Sequence, residues 1–306
     1  MGNLERFMQD DGRTMRNLLG IWRDPEAFET ALSTNSAGRI AELELNPDLI
    51  APTFDRKHLS ALHKHITQDV FEWAGKMRDE TVTIEGERIG PVKTMAKAGG
   101  QKFDDEKDLK AGFRNLDKLI DVEAARKMSH GEFADHAARI FTHLNWMHPF
   151  REGNGRVQRA FISQYAQHTG HELDFKHITQ GRIYEVSERS TRGHHAHMRR
   201  LFEEISDPAC VERMRGPYQA FSKIEGFQQL YFSHAHPGQM VRGTMRGSGA
   251  GEFVVQNDKT KELTVAAIDD IPQDATPGTP IAFTPKTPFG PAGRQDDRQA
   301  ERAEQR

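Results

Sequence analysis

The chain is poor in the features that would assign it to a special class. Cys210 is its only cysteine in 306 residues. That excludes an intramolecular disulfide and fits synthesis in a reducing compartment. No apolar run approaches the roughly 20 residues of a membrane-spanning helix. The N-terminus carries acids early and lacks an apolar core, so no signal peptide is visible. Arg6 stands where a myristoylation signal needs Ser or Thr. Charge of either sign is not in excess: 42 Lys and Arg against 45 Asp and Glu leave −3, which gives no global pull toward nucleic acid. What remains is 36% hydrophobic and 28% charged, an ordinary globular composition, at a length that suits one large domain or a domain with an appendage.

Asp24-Pro25-Glu26 starts a helical pattern, with proline at the first-turn position. From about Asp55 to Trp73, Leu59, Leu62, Ile66, Val70 and Trp73 fall at three- and four-residue steps and predict one amphipathic helix ending at Gly75. Thr81-Val82-Thr83-Ile84 reads as a strand, and the glycines that follow predict hairpin-like structure between helices. Residues 105–128 return to helical patterning. A helix preceded by Ser129 or His130 carries the stripe Phe133, Ala137, Ile140, Leu144 and Met147. Pro149 should stop it just before His148. Val157, Phe161 and Tyr165 then open a further helix ending near Gly170, and helical pieces continue to about Ile205. Beyond Pro208 the composition shifts to Thr/Val/Phe segments such as Phe253-Val254-Val255 and Leu263-Thr264-Val265, which predict a small β-rich, OB-like module.

The densest chemistry lies in His148-Pro-Phe-Arg-Glu-Gly-Asn-Gly-Arg-Val-Gln-Arg159. Gly153 and Gly155 around Asn154 allow positive backbone dihedrals, so successive N–H groups can turn to one side. The helix that follows has unpaired N–H groups and a dipole that favours an anion. Arg156 and Arg159, three positions apart, project from one side of its first turn as planar forks suited to phosphate. Glu152 is a hard carboxylate able to hold Mg²⁺. His148 has an ordinary pKa near neutrality and suits a general base. Phe150, between these polar groups, should plug into the core. The combination describes a metal-bound polyphosphate beside a proton acceptor.

These residues resemble the Fic-family signature, His-x-Phe-x-Asp/Glu-Gly-Asn-Gly-Arg-x-x-Arg, with every fixed position filled. Phe54-Asp55-Arg56-Lys57-His58-Leu59 and Phe71-Glu72-Trp73-Ala74-Gly75-Lys76-Met77-Arg78 also resemble the family's early helix and the turn leaving it. The resemblance implies a mainly helical Fic fold and transfer of AMP from ATP to a Ser, Thr or Tyr hydroxyl of a target protein. It makes His148 the general base and Glu152 the Mg²⁺ ligand. Gly153, Asn154 and Gly155 become the anion hole, with Arg156 and Arg159 on the phosphates. The excursion at residues 85–104 is similar to the family's flap, which holds the target by strand addition, and Val92 to Met95 are its candidate pairing residues.

The order of helices, flap, motif and β-module, with Gly20-Ile21-Trp22-Arg23-Asp24-Pro25 and Ser33 to Arg39, is similar to the Bep-type effectors and toxins of type IV secretion systems. This implies a Fic domain at residues 1–206 with its core at about 50–205, a β-rich module at 207–288, and a charged tail at 289–306 that begins a linker to a further region. It also implies residence in the producing cell's cytoplasm and delivery into a host or recipient cell. Many Fic proteins carry an inhibitory helix with the pattern Ser/Thr-x-x-x-Glu-Gly/Asn. Here the pattern matches only Thr81 to Gly86, in a strand-like stretch, so a separate small antitoxin is expected to supply a glutamate to Arg159. The Gly-Asn-Gly-Arg run favours AMP transfer over the phosphorylating subgroup, which carries a lysine near Gly155. The alternatives are a non-catalytic nucleotide-binding module and an enzyme using another nucleotide donor. The histidines around His194 to His197 lack completing ligands for zinc. The aromatics Tyr218, Phe221, Phe227, Tyr231 and Phe232 come with little basic charge and favour an interaction or spacer role over oligonucleotide binding.

Overall fold

A computed structural model describes residues 3–92 and 109–287. The chain divides into two compact units, residues 1–127 with 139–170, and residues 128–138 with 171–306.

In the first unit, α1 (Pro25–Leu45) starts as expected: the Asp24 side chain accepts the Ala27 N–H and Pro25 occupies the first turn. α2 (Arg56–Thr67) is capped in the same way by Asp55, which accepts from His58 N–H. It buries Leu59, Leu62 and Ile66. The helix stops at Thr67, six residues before the expected end at Trp73. There the Thr67 hydroxyl donates back to the His63 carbonyl, and the Val70 and Phe71 N–H groups both turn to the Thr67 carbonyl. Val70 and Trp73 are buried all the same, in the turns that follow, where Trp73 stacks on Phe71 at 4.3 Å and meets Phe7 edge-on at 5.8 Å. Gly75 takes φ 83°, and a Cβ there would lie 2.9 Å from the Lys64 Cβ. The chain therefore crosses α2 closely only because that residue is glycine.

β1 (Val82–Ile84) and β2 (Glu87–Ile89) pair as an antiparallel hairpin. Its two turn residues, Glu85 and Gly86, both have positive φ, the geometry that matches strand twist in a two-residue turn. The Thr81–Gly86 pattern is thus hairpin, not helix, and Glu85 is ion-paired with Arg16. Val82, Ile84, Ile89 and Val92 join Phe7, Phe28, Leu32 and Trp73 in one core cluster. Of the expected flap pairing residues, Val92 is fully buried and its N–H donates to the Arg78 carbonyl at 2.8 Å, so that amide is not open to a target strand. Lys93, Thr94 and Met95 lie outside the described residues, as does the rest of the expected flap to residue 104.

α3 (Leu109–Leu119) and α4 (Val122–Ala125) follow, then α5 (His130–Met147), whose residues from 139 on belong to the first unit. α5 ends before His148 as Pro149 requires. α6 (Asn154–His168) buries Val157, Phe161 and Tyr165 on the expected face and packs against α2.

The second unit holds α7 (Gln180–Thr191), α8 (Ala196–Ile205), α9 (Pro208–Phe221) and a five-stranded sheet. α9 lies inside the stretch read from composition as β-rich. Asp207 caps it and Pro208 opens it, so the residues taken as a boundary are a helix start. The strands are β3 (Phe232–His234), β4 (Val241–Ser248), β5 (Glu252–Gln256), β6 (Leu263–Ala267) and β7 (Pro280–Phe283). Their order is β3-β6-β5-β4-β7, with β3 parallel to β6 and the other pairs antiparallel. Both faces of the sheet are covered. Val254 and Val265 face a cluster with Met214 and Phe232, while Phe253 and Val255 face one with Met245 and Ala235. Tyr218, Phe227 and Phe232 meet one another at 5.2 to 5.9 Å, which places this aromatic run in a core rather than on a base-stacking surface.

α7 and α8 are joined by a buried fork-to-fork pair, Arg182 to Glu204, with both contacts at 2.6 Å. His236 Nε2 and the His234 N–H also meet the Glu204 carboxylate. Burial alone would raise the Glu204 carboxyl, but Arg182 and His236 override it and hold the group below its ordinary value. The carboxylate therefore contributes stability that is complete above its unfolded pKa of about 4.3 and is lost as pH falls below that. Urea unfolding should show Glu204→Gln losing about 3–5 kcal/mol at neutral pH, because Arg182 is left buried and unpaired. The loss should shrink on acidification below about pH 4.

Candidate functional site

The His148 N–H closes the last turn of α5 on the Leu144 carbonyl at 3.0 Å. Its own φ is 45°. A non-glycine residue in this region costs about 1–2 kcal/mol, so the surroundings must hold it there. Arg78 does so. Fully buried, it donates from Nε to the His148 carbonyl at 3.0 Å and from Nη2 to the Met147 carbonyl at 3.3 Å. Its backbone N–H donates to the Pro149 carbonyl at 2.8 Å. A cation on the closing carbonyls of α5 also opposes the negative end of the helix dipole.

The next residues are fastened from inside. Phe150 is fully buried and stacks on His63 at 4.0 Å with 13° between the rings. His63 Nδ1 accepts the Gly75 N–H at 2.8 Å, so its proton sits on Nε2, which donates to the Glu152 carbonyl at 3.1 Å. Burial pushes the His63 pKa down to about 3, which keeps the ring neutral in that tautomer. Arg151 is buried too. It donates to the carbonyls of Met77 at 2.8 Å and Glu80 at 2.6 Å and lies 4.5 Å over the Phe7 ring. Burial lowers its pKa to about 10.

Gly153 takes φ 80° and caps α6 without a side chain, so the helix begins with open N–H groups. The Asn154 side chain turns inward. Its Oδ1 accepts the Phe150 N–H at 2.9 Å and its Nδ2 donates to the Phe150 carbonyl at 2.7 Å. This clasp closes the bend and leaves its backbone to face a ligand. Gly155 is exposed, and a Cβ on it would lie 3.4 Å from Arg159 Nη1, so that guanidinium folds back along the helix start. Burial and the Arg156 charge push Arg159 below its ordinary pKa. Arg156 Nη1 is buried, has no hydrogen-bond partner, and stands 3.7 Å from the Glu152 carboxylate. Partial burial and the Glu152 charge raise the carboxyl of Glu29, on α1, with Arg156 opposing.

All seven residues expected from the motif are thus in one place. His148, half-buried, stands before the bend; Glu152, half-buried, enters it; Gly153, Asn154 and Gly155 form it; Arg156 and Arg159 leave it on α6. An anion fits here on the structure's own terms: open helix N–H groups, a buried guanidinium nitrogen in want of an acceptor, and a carboxylate with an oxygen donor set suited to a hard cation. Sequence reasoning missed His63, Arg78, Arg151 and Glu29. Arg151 was discoverable as an arginine in the middle of the motif. Arg78 closes the Phe71–Arg78 stretch, where nothing local told that it ties down His148, and His63 and Glu29 had no local signal, being distant in sequence from the motif.

The Fic/DOC family pattern matches residues 53–166. A Bartonella henselae protein named protein adenylyltransferase is 30% identical over 287 residues, 91% of this chain and 52% of that protein. Protein adenylyltransferase VbhT of Bartonella schoenbuchensis is 30% identical over 192 residues, 63% of this chain and 37% of its own. The chain thus spans about half the length, or less, of these two relatives. Among solved structures, the type IV secretion system effector protein BepA has a TM-score of 0.83 at 27% identity, covering 93% of this chain and 97% of its own. BepC of Bartonella tribocorum, a VirB-translocated effector solved with bound AMPPNP, has a TM-score of 0.62 at 29% identity, covering 66% and 96%.

The Asn154 clasp makes a local prediction. Asn154→Ala leaves both Phe150 backbone groups buried without partners and should destabilise the chain by about 2–4 kcal/mol, read from chemical denaturation. Asn154→Asp keeps the acceptor for the Phe150 N–H and should lose less.

Proposed function

Residues 53–166 are a Fic/DOC family domain, and on that premise we propose that the chain is a protein adenylyltransferase that moves AMP from ATP to a Ser, Thr or Tyr hydroxyl of a target protein. The observation that carries the reading is the arrangement around Gly153. A strained imidazole-bearing loop, an open helix start and an Arg156 guanidinium nitrogen without a hydrogen-bond partner occur together in one short stretch, the donor set that a triphosphate calls for.

His148 takes the proton of the target hydroxyl, whose oxygen forms a bond to the α-phosphorus as the bond to pyrophosphate breaks. The N–H groups of Gly153, Asn154 and Gly155 receive the negative charge that builds on the phosphoryl oxygens. Arg156 binds the phosphates from the same turn, and Arg159 meets the distal phosphate. Glu152 is the residue that would hold Mg²⁺, which when bound neutralises phosphate charge. His63 and Arg78 keep these groups in place and take no part in the chemistry.

The target is read as extended chain docking along the flap. An inhibitory partner, if supplied in trans as a small antitoxin, would act by placing a glutamate on Arg159. Similarity to VirB-translocated effectors supports delivery by a type IV secretion system into another cell. Among the described residues no helix is long and apolar enough to cross a membrane.

Incubation of the chain with cell lysate and ATP labelled in the α-phosphate should label protein, and label in the γ-phosphate should not be retained. His148→Ala should lower the rate by about 10²–10⁴-fold while nucleotide binding persists. Label retained from the γ-phosphate, or equal labelling by the variant, would overturn the assignment. Chelation of divalent cations should abolish transfer. Glu152→Ala should shift the Mg²⁺ concentration for half-maximal rate upward by about tenfold or more, as titration of Mg²⁺ at fixed ATP would measure.

A further inference from the structure

A second polar cleft lies wholly within the second unit, where α7 and α8 face strands of the sheet. It measures about 230 Å³. That is smaller than the roughly 300–1,000 Å³ of most small-molecule pockets, so it suits a compact ligand. Its floor is the neutralised pair Arg182–Glu204. On the wall, Arg189 is ion-paired with Glu185. Two further lining arginines, Arg200 from α8 and Arg242 from β4, whose Nε donates to the Met240 sulfur, have no carboxylate partner among the described residues. Against them stands one lining carboxylate, Glu262, that has no arginine of its own. Hydroxyls of Ser233 and Thr264 line the same space.

His197 reports on this imbalance. Its Nε2 accepts the Arg189 guanidinium at 2.9 Å, so the ring is neutral at that nitrogen. Burial first, then the charges of Arg189 and Arg200, with His194 adding to them and Glu185 opposing, lower its pKa. A dianion among these groups would offset that repulsion.

We propose that this cleft binds a phosphate dianion, free or carried by a compact monoester, gripped by the guanidinium forks of Arg200 and Arg242 with Ser233 and Thr264 hydroxyls on the remaining oxygens. Two forks from different elements and flanking hydroxyl donors match tetrahedral phosphate oxygens better than a planar monocarboxylate. The site is separate from the one around Gly153 and does not depend on AMP transfer.

The test follows the His197 ring resonances by NMR in the full chain while ribose 5-phosphate or inorganic phosphate is added, with sodium chloride at equal ionic strength as the control. Saturable movement with ribose 5-phosphate is expected, weakened about tenfold or more by Arg200→Ala and by Arg242→Ala. Tighter binding of ribose 5-phosphate identifies an organic monoester, and equal or tighter binding of inorganic phosphate identifies the free anion. Either supports the shared chemistry. Arg156→Ala should leave the response intact, and Arg200→Ala should leave protein labelling intact, so this proposal and the adenylyltransferase reading fail separately. No movement, movement reproduced by sodium chloride, or an unchanged response in both arginine variants would overturn it.

Discussion

One constraint organises the first unit: the backbone at His148 is held in a left-handed conformation that a histidine adopts at a cost. The hydrogen bonds from Arg78 to three successive carbonyls supply the hold. Each is a charge-assisted or fully buried bond, and their sum exceeds the roughly 1–2 kcal/mol of strain. The core around Trp73, Phe71 and the β1–β2 hairpin leads into Val92, which in turn fastens the Arg78 carbonyl. The position of the imidazole is therefore set by residues distant from it in the chain.

The arginines divide into two classes by the company they keep. Arg78 and Arg151 are buried with their nitrogens directed at backbone carbonyls, so they act as ties. Arg156 and Arg159 stand half-buried at the start of α6, with Arg156 incompletely partnered. A guanidinium in that state is an incomplete interaction, and an anion completes it. Asn154 makes the same division on a smaller scale. Its side chain serves the loop, and its backbone is left for the ligand.

The second unit uses related physics for another end. Its sheet is covered on both faces, and the fully buried ion pair Arg182–Glu204 has every carboxylate oxygen satisfied by Arg182, His234 or His236. Such a pair ties α7 to α8, and removing one partner costs more than the pair's net contribution because the other charge is left buried alone. The charge imbalance that remains sits on the wall of the cleft above it.

Local order in the sequence determined a good deal. The caps Asp24 and Asp55, the stop at Pro149, the face of α6 and strands β5 and β6 all follow from short-range rules, as does the grouping of His148, Glu152 and the two motif arginines, because those residues lie within one turn and one bend. The tertiary structure decided the rest. The stripe at Val70 and Trp73 is apolar whether it continues a helix or folds into turns, and only packing against Phe7 and Phe71 chose the turns. Pro208 marks a change of composition equally well as a boundary or a helix start, and Asp207 made it the latter. His63 and Glu29 carry no signal in their own neighbourhoods, and the recognisable stretch that ends at Arg78 does not say that its guanidinium reaches the His148 carbonyl. Hydrogen bonds and charge act through space, and the sequence records neighbours along the chain alone.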